Sequence, residues 1–436
     1  MTCEYLSKVR LNTLIAAVLL GMSALTSMAH AGSTLVGGGA TLPALGFVGD
    51  VTHRQQIAPI FPSLFGVFSA QLGNPSISYC MNGSGMGKKL LEGVSSSSVQ
   101  APCADGSVDP TGFGATVVNR GDLKQPNFIA SDSPLTVSDY DNYQAHRVGS
   151  LPVQFPAVAS SIAITFNVAN LQALNLTDAD LCKIFSGQIT DWSDLPSGAW
   201  GPIQVVYDSD DSGTTFALSN HLAAICSGTP TQHFIADPSF KKVVSLYFPG
   251  VAGKPTFPST WIAQSGDQNV VNTVVNTNGT LAYAGVADVL NAAASWATID
   301  TLDPIADFAD PATGRFTINA SDLVYNQLIN GADATTGQPV LSPAPPTTPC
   351  IALVKPQAYA YPTFPPTTYP LVAISYLMAN TASNGSDLIN VRNLLAAPYN
   401  ASITYSVGLT TIGVNTGMAF LNTNITPSQV AGCIVN

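Results

Sequence analysis

The sequence predicts an open α/β fold of two domains, on three observations. Short strand-like apolar runs alternate with helix-like runs through most of the chain. The strand-like runs end in turns rich in Gly, Ser, Thr and Asp. The chain of 436 residues is long enough for two hydrophobic cores. Open α/β sheets hold their ligands beyond the carboxyl ends of the strands, so these turns are where function is to be sought.

The N-terminal segment stands apart. Lys8 and Arg10 form a positive region, Leu14 to Leu20 is apolar and uncharged, and Ala29-His30-Ala31 is an A-x-A cleavage pattern. The pattern predicts a secretory signal peptide over residues 1–31, a mature chain from Gly32, and export to the periplasm or the medium. The apolar stretch is too short for a membrane anchor, and no cysteine stands at the cleavage site to carry a lipid. Removing the segment leaves 405 residues and takes the formal net charge from −11 to −12. So acidic a chain is not expected to bind nucleic acid or an anionic membrane. With 9% charged and 46% hydrophobic residues, it reads as a folded, loop-rich exported protein rather than a disordered one.

The mature chain opens with a strand at Ser33 to Val36, the turn Gly37-Gly38-Gly39-Ala40-Thr41, and an apolar stretch from Leu42. A second unit runs from Ile77 to Cys80, through Asn82-Gly83-Ser84-Gly85, into a helix start at Met86 to Leu91. Ser84 offers a hydroxyl beside unpaired helix-start N–H groups, but the surrounding glycines do not form a nucleophile elbow. A third strand, Phe128 to Ser131, delivers Asp132 to a polar turn. An aspartate facing an oxyanion accepts a hydrogen bond from a protonated form and repels an unprotonated one, a means of preferring hydrogen phosphate over sulfate. Next come Leu151 to Pro156 and a strongly apolar strand, Ser161 to Phe166.

A fourth turn, Asp208 to Thr214, lies between a strand at Pro202 to Tyr207 and a helix at Thr215 to Ile225. Ser212 and Gly213 fall at the helix N-terminus, where free N–H groups and the helix dipole favour an anion. Asp208, Asp210 and Asp211 crowd the same turn. Asp208, Asp210, Ser212 and Gly213 also match the start of a calcium loop, but the position that needs a bidentate acid is Ser219. No metal site is expected, and no cofactor.

Six cysteines follow the signal peptide: Cys80, Cys103, Cys182, Cys226, Cys350 and Cys433. An even number in an exported chain reads as disulfides, and nearest-neighbour pairing keeps each bridge inside one structural block. Of the histidines of the mature chain (His53, His146, His221 and His233), none stands near a convincing catalytic partner, and His221 is expected as a surface or capping residue. Without a base–nucleophile set, an enzyme is not the first expectation.

Taken in order, the turns carry a family pattern. Gly37 to Pro43, Gly83-Ser84-Gly85, Ala130 to Leu135, Phe155-Pro156, Leu181 to Trp192 and Ser212 to Phe216 resemble the PstS-type periplasmic phosphate-binding proteins of ABC transporters and their secreted DING-type relatives. The similarity spans about residues 34–290, with Tyr369-Pro370-Leu371 as a later anchor. The resemblance implies a type II periplasmic-binding-protein architecture, two α/β domains with a hinge and the ligand clamped between them. Domain I would be residues 32–155 with 290–436, and domain II residues 156–289. It places phosphate contacts at Thr41, Leu42, Ser84, Asp132, Ser212, Gly213 and Thr214. It implies a monomer that serves a transporter permease.

One position departs from the pattern. Where the family keeps an anion-clamping arginine, two residues before the acid of its turn, this chain has Asp208, and the glycine of the same turn is Asp211. Asp208 and Asp210 are therefore candidate modulators of the ligand. Lys88 or Lys89, one turn into the helix after Ser84, could replace the missing charge. The function expected first is oxyanion binding; the alternatives are a secreted phosphatase and a scaffold that keeps the fold without a ligand.

Overall fold

The computed structural model describes residues 33–49, 59–93, 113–250, 256–343, 350–360, 368–408, 411–413 and 415–435. The expected signal peptide, His53 and Cys103 lie outside these residues. A twelve-stranded curled sheet runs through the molecule. Its main strands are β1 (Leu35–Gly39), β2 (Ile77–Cys80), β3 (Phe128–Ser131), β4 (Pro152–Asn167), β5 (Gln204–Asp208), β6 (Ile262–Gln264), β7 (Thr280–Gly285) and β8 (Val372–Asn380), in the spatial order β2-β1-β3-β8-β4-β7-β5-β6. Three helices matter for the site: α1 (Ser84–Glu92), α2 (Gly213–Ile225) and α3 (Asp267–Asn276).

Strand β4 organises the fold. The strand expected at Ser161 to Phe166 begins earlier and takes in most of the preceding Leu151 to Pro156 segment, as one strand of 16 residues, Pro152–Asn167. Pro156, which has no N–H, sits at a bulge: pairing with β8 passes from Tyr376↔Pro156 to Ser375↔Val158, so Ala157 is left over and the strand continues. The first part of β4 pairs with β8, and the last part, Ile162 to Asn167, pairs with β7. The chain thus crosses from one half of the sheet into the other without a break. Strand β8, from the C-terminal part of the chain, completes the first half by lying antiparallel between β3 and β4. Ser295–Ile299 pairs with Ile164 to Phe166 in the second half.

Strand direction explains the cleft. Strands β1, β2 and β3 are mutually parallel, and through antiparallel β8 they run the same way as β4. Strand β7 is antiparallel to β4, and β5 and β6 are parallel to β7. The carboxyl ends of the first half therefore point along β4 towards the second, and those of the second point back. Both sets of strand-end turns meet, as the rule for open α/β sheets requires.

Each half has its own aromatic centre. Phe65 packs on Phe47, Tyr79 and Phe128 at centroid distances of 5.0 to 5.5 Å in the first half. Phe240 packs on Tyr207 at 4.8 Å and on Tyr283 and Trp261 at 5.8 Å in the second. Rings of this size remove 150–250 Å² each from water, so they carry a large share of core stability. Cys182–Cys226 and Cys350–Cys433 form disulfides as expected, with Cα atoms 5.5 and 5.4 Å apart. Cys80 is also disulfide-bonded.

His221 departs from its expected surface position. It is 1% exposed, with Nε2 3.0 Å from Asp178 Oδ1 and Nδ1 3.2 Å from the Ala360 carbonyl. The reason is that α2 is apolar on nearly every side and is buried along most of its length, so its polar residues find partners inside.

Candidate functional site

A cavity of about 540 Å³ opens where the two sets of turns meet. Thr41 after β1, Ser84 after β2 and Asp132 after β3 reach it from the first half. Asp208 to Thr214 after β5 and Ser265 to Asp267 after β6 reach it from the second. Six of the seven expected contact residues, Thr41, Ser84, Asp132, Ser212, Gly213 and Thr214, line this one cavity. Leu42 is not part of its lining. It is 2% exposed, and its side chain packs so closely on Gly285 that a Cβ there would come within 2.3 Å.

The local sequence explains the approach of these groups. Gly83 has φ of +92°, a conformation glycine adopts freely, and it turns the chain from β2 into α1 so that Ser84 is the first helical residue. Ser212 is the N-cap of α2, its hydroxyl accepting from the Thr215 N–H at 3.4 Å. The walls touch at Gly85 and at Gly213. The Gly85 N–H donates to the Asp211 carbonyl at 3.4 Å. A Cβ on Gly213 would lie 2.2 Å from the Asp132 Cβ, so only glycine allows this approach.

Asp132 sits at the centre, 3% exposed. Its Oδ1 accepts from Ser375 Oγ at 2.5 Å and its Oδ2 from Ser84 Oγ at 3.2 Å, while its N–H donates back to Ser84 Oγ at 3.0 Å. Burial pushes its carboxyl up to about 7, against the pull of the two hydroxyls. At neutral pH the group exists in both forms, so it can accept a proton from an oxyanion or donate one. Ser375 has no local signal in the sequence, being one polar residue within the apolar run of β8.

The second wall is acidic. Asp208 is 3% exposed, and its Oδ1 accepts from the N–H groups of Asp210 at 3.0 Å and Gly266 at 3.2 Å. Gly266 is the N-cap of α3, so this carboxylate occupies a helix N-terminus that an external anion could otherwise use. Burial pushes the Asp208 carboxyl up to about 6. Asp267, 2% exposed, accepts at Oδ2 from Thr214 Oγ1 at 2.9 Å and from the Gly285 N–H at 3.0 Å. Burial, then the charges of Asp288 and Asp208, hold its carboxyl well above the usual carboxylate range. Asp210 is tied to Ser265 Oγ. The turn Ser265-Gly266-Asp267 was not among the expected site residues, although its polar–Gly–polar pattern at a helix start repeats that of Asn82-Gly83-Ser84 and Ser212-Gly213-Thr214.

Lys88 does not supply a charge to the cleft. It is 5% exposed and turned away from the cavity, with Nζ 2.7 Å from Asp139 Oδ2. The adjacent Lys89 is exposed and lines the cavity. The two differ because successive helical residues lie about 100° apart around the axis. Among the described residues, no group of three or more His, Cys, Asp or Glu side chains is placed to hold a metal ion. Among the same residues, no helix is long and apolar enough to cross a membrane.

These features agree with what the chain is similar to. It belongs to the PBP superfamily, whose domain model matches residues 77–391. It is 28% identical over 355 residues to alkaline phosphatase L of Pseudomonas aeruginosa, covering 74% of this chain and 82% of that one. It is 38% identical over 112 residues to the phosphate-binding protein PstS 3 of Mycobacterium leprae, covering 24% of this chain and 30% of that one. Its fold matches a high-affinity periplasmic phosphate-binding protein, PfluDING, solved with phosphate bound, at a TM-score of 0.60 and 23% identity over 92% of each chain.

Proposed function

We propose that this protein is an exported solute-binding protein that clamps a phosphate-like oxyanion between two lobes and delivers it, as a monomer, to a membrane transporter permease. The observation that carries the reading is the convergence of Ser84, Asp132 and the α2 N-terminus on one cavity. Hydroxyls and helix N-termini bind oxyanions without a cation. The lobes would be residues 32–155 with 290–436 and residues 156–289, hinging about β4 and its neighbours. The names of the relatives and the export signal support the periplasm or the medium as the place of action.

Asp208 stands where the family pattern keeps its arginine, and that sets the conditions for binding. An ionised carboxylate about 4 Å from a phosphate costs on the order of 4 kcal/mol at an effective dielectric near 20. Protonation removes this cost, so affinity should rise as pH falls through the range in which Asp208 and Asp132 take up protons, from about 7 to 6. Calorimetric titration across pH 5–8 tests the reading. Phosphate and arsenate should bind alike, and sulfate should be rejected at pH 8. Absence of phosphate and arsenate binding throughout that range would overturn it.

A hydrolytic reading is favoured by one contact. Ser84 Oγ donates to Asp132, a carboxyl poised near 7, which is the relation between a nucleophile and its base. Relatives named alkaline phosphatase L point the same way. Turnover of p-nitrophenyl phosphate by the pure protein, abolished in Ser84→Ala, would establish this reading; binding without turnover is the expected result.

A further inference from the structure

The cavity is larger than an oxyanion of five heavy atoms, and only part of its wall suits one. Its 540 Å³ falls within the range of roughly 300–1,000 Å³ found for sites that hold whole organic ligands. One side presents Ser84 and the start of α2; the other presents Asp208, Asp267 and Asp288. Asp267 is the informative residue. Its Oδ2 carries both of its hydrogen bonds, from Thr214 and Gly285, while its Oδ1 makes none among the described residues, although the side chain is almost wholly buried and lines the cavity. No lysine or arginine among the described residues forms an ion pair with Asp208 or Asp267. A buried acidic wall of this kind either keeps its protons or takes a cation from outside.

The two sides are close together. Gly213 lies against Asp132, and the next residue, Thr214, bonds to Asp267. An oxyanion at the start of α2 and a cation at Asp267 would therefore be separated by about the width of one residue, a gap that a two-carbon spacer fills.

We propose that the ligand of this cleft is a phosphonate or phosphate monoester bearing an ammonium group a short spacer away, with the phosphoryl held at Ser84 and the α2 N-terminus and the ammonium at Asp267 Oδ1. This rests on the oxyanion reading above. The ammonium supplies three donors, one of which meets Oδ1. The positive group also offsets the repulsion that the acidic wall exerts on the phosphoryl.

Calorimetric titration of the purified protein near pH 7.5 compares 2-aminoethylphosphonate, ethylphosphonate, orthophosphate and ethylamine. The expected result is that 2-aminoethylphosphonate binds at least about tenfold more tightly than ethylphosphonate, equivalent to about 1.4 kcal/mol. Asp267→Asn should bring that ratio close to one, since its amide still accepts from Gly285 but no longer carries charge. Equal binding of the two phosphonates, with orthophosphate also bound, overturns the ammonium pocket and leaves the oxyanion reading standing. Failure of both phosphonates and orthophosphate to bind overturns both. Ethylamine binding as tightly as 2-aminoethylphosphonate also overturns the proposal, because the phosphoryl would then contribute nothing. The wild-type ratio decides the matter even if the variant does not fold.

Discussion

Asp132 and Asp208 face one cavity from opposite walls, and burial raises both carboxyls, but they hold different partners. Asp132 is bound by two hydroxyls, which can turn to donate or accept, whereas Asp208 is bound chiefly by two backbone N–H groups, which can only donate, with a smaller contribution from the Ser212 hydroxyl. Asp132 is therefore suited to proton exchange with a ligand. Sulfate should be rejected at pH 8 and admitted as pH falls through about 7, where Asp132 gains its proton, and Asp132→Asn should admit sulfate at both pH values in a competition titration. For Asp208 the consequence concerns stability. Its folded value of about 6 lies above the ordinary 3.8, so the folded chain holds the extra proton between those values. Stability from this site is complete below about pH 4 and is lost as pH rises through 6, amounting to on the order of 3 kcal/mol at pH 8. Asp208→Asn keeps an acceptor for both N–H groups, so it should raise the melting temperature at pH 8 and leave it nearly unchanged at pH 4.5. A larger loss at pH 8 than at pH 4.5 would show that the N–H groups hold the carboxylate ionised.

Helix starts and a bulge place these residues. Helix α1 brings Ser84 to the cleft at its first turn and Lys88 to the interior one turn further along the same face, where it pairs with Asp139 of the Val137–His146 helix. Burial pushes the Asp139 carboxyl up, and the Lys88 charge with its hydrogen bond outweighs that, leaving it below the usual range. Glu92, pushed up to about 8 chiefly by burial and then by Asp139, stands beside the pair. Lys88→Met should lower stability by on the order of 2 kcal/mol in denaturant unfolding, because it leaves a part-buried carboxylate without its cation. Phosphate affinity should be unchanged, since the side chain does not line the cavity; a loss of affinity at unchanged stability would return Lys88 to the site. Helix α2 offers a sharper test of closure. Gly213→Ala should abolish phosphate binding with little change in melting temperature, because a methyl 2.2 Å from the Asp132 Cβ forces the walls apart. The starts of these helices were legible in the sequence, since Ser, Thr and Gly at strand ends have capping chemistry that shows in a few residues. Asp267, Ser375 and the facing of Lys88 were not. They depend on which strands become neighbours and how a helix is rotated, and neither leaves a local mark. The continuity of β4 was hidden by Pro156, whose missing N–H reads as a break until the bulge at Ala157 accommodates it.

At the scale of the whole molecule, one strand joins two halves whose parallel strands point at each other, and two disulfides, Cys182–Cys226 and Cys350–Cys433, brace it away from the cleft. Cys182 lies in the Asp178–Phe185 helix and Cys226 caps the far end of α2 from Ser212. The Cys350–Cys433 bridge ties the C-terminal helix Pro427–Gly432 to the segment just before Ala352–Val354. They close loops of 44 and 83 residues, so the chain-entropy model assigns each about 4 kcal/mol of stability, drawn from the unfolded state rather than from contacts in the folded one. The bridges and the ligand should therefore act separately. The Cys182→Ala/Cys226→Ala double variant is expected to melt well below the wild type yet bind phosphate with unchanged affinity at a temperature where both are folded. The added phosphate should raise both melting temperatures by similar amounts, since that shift depends on ligand concentration relative to affinity. If removing the bridge instead weakens binding, then the far end of α2 controls how its N-terminus meets Asp132. The buried His221–Asp178 contact between the same two helices would then be the next place to look for that control.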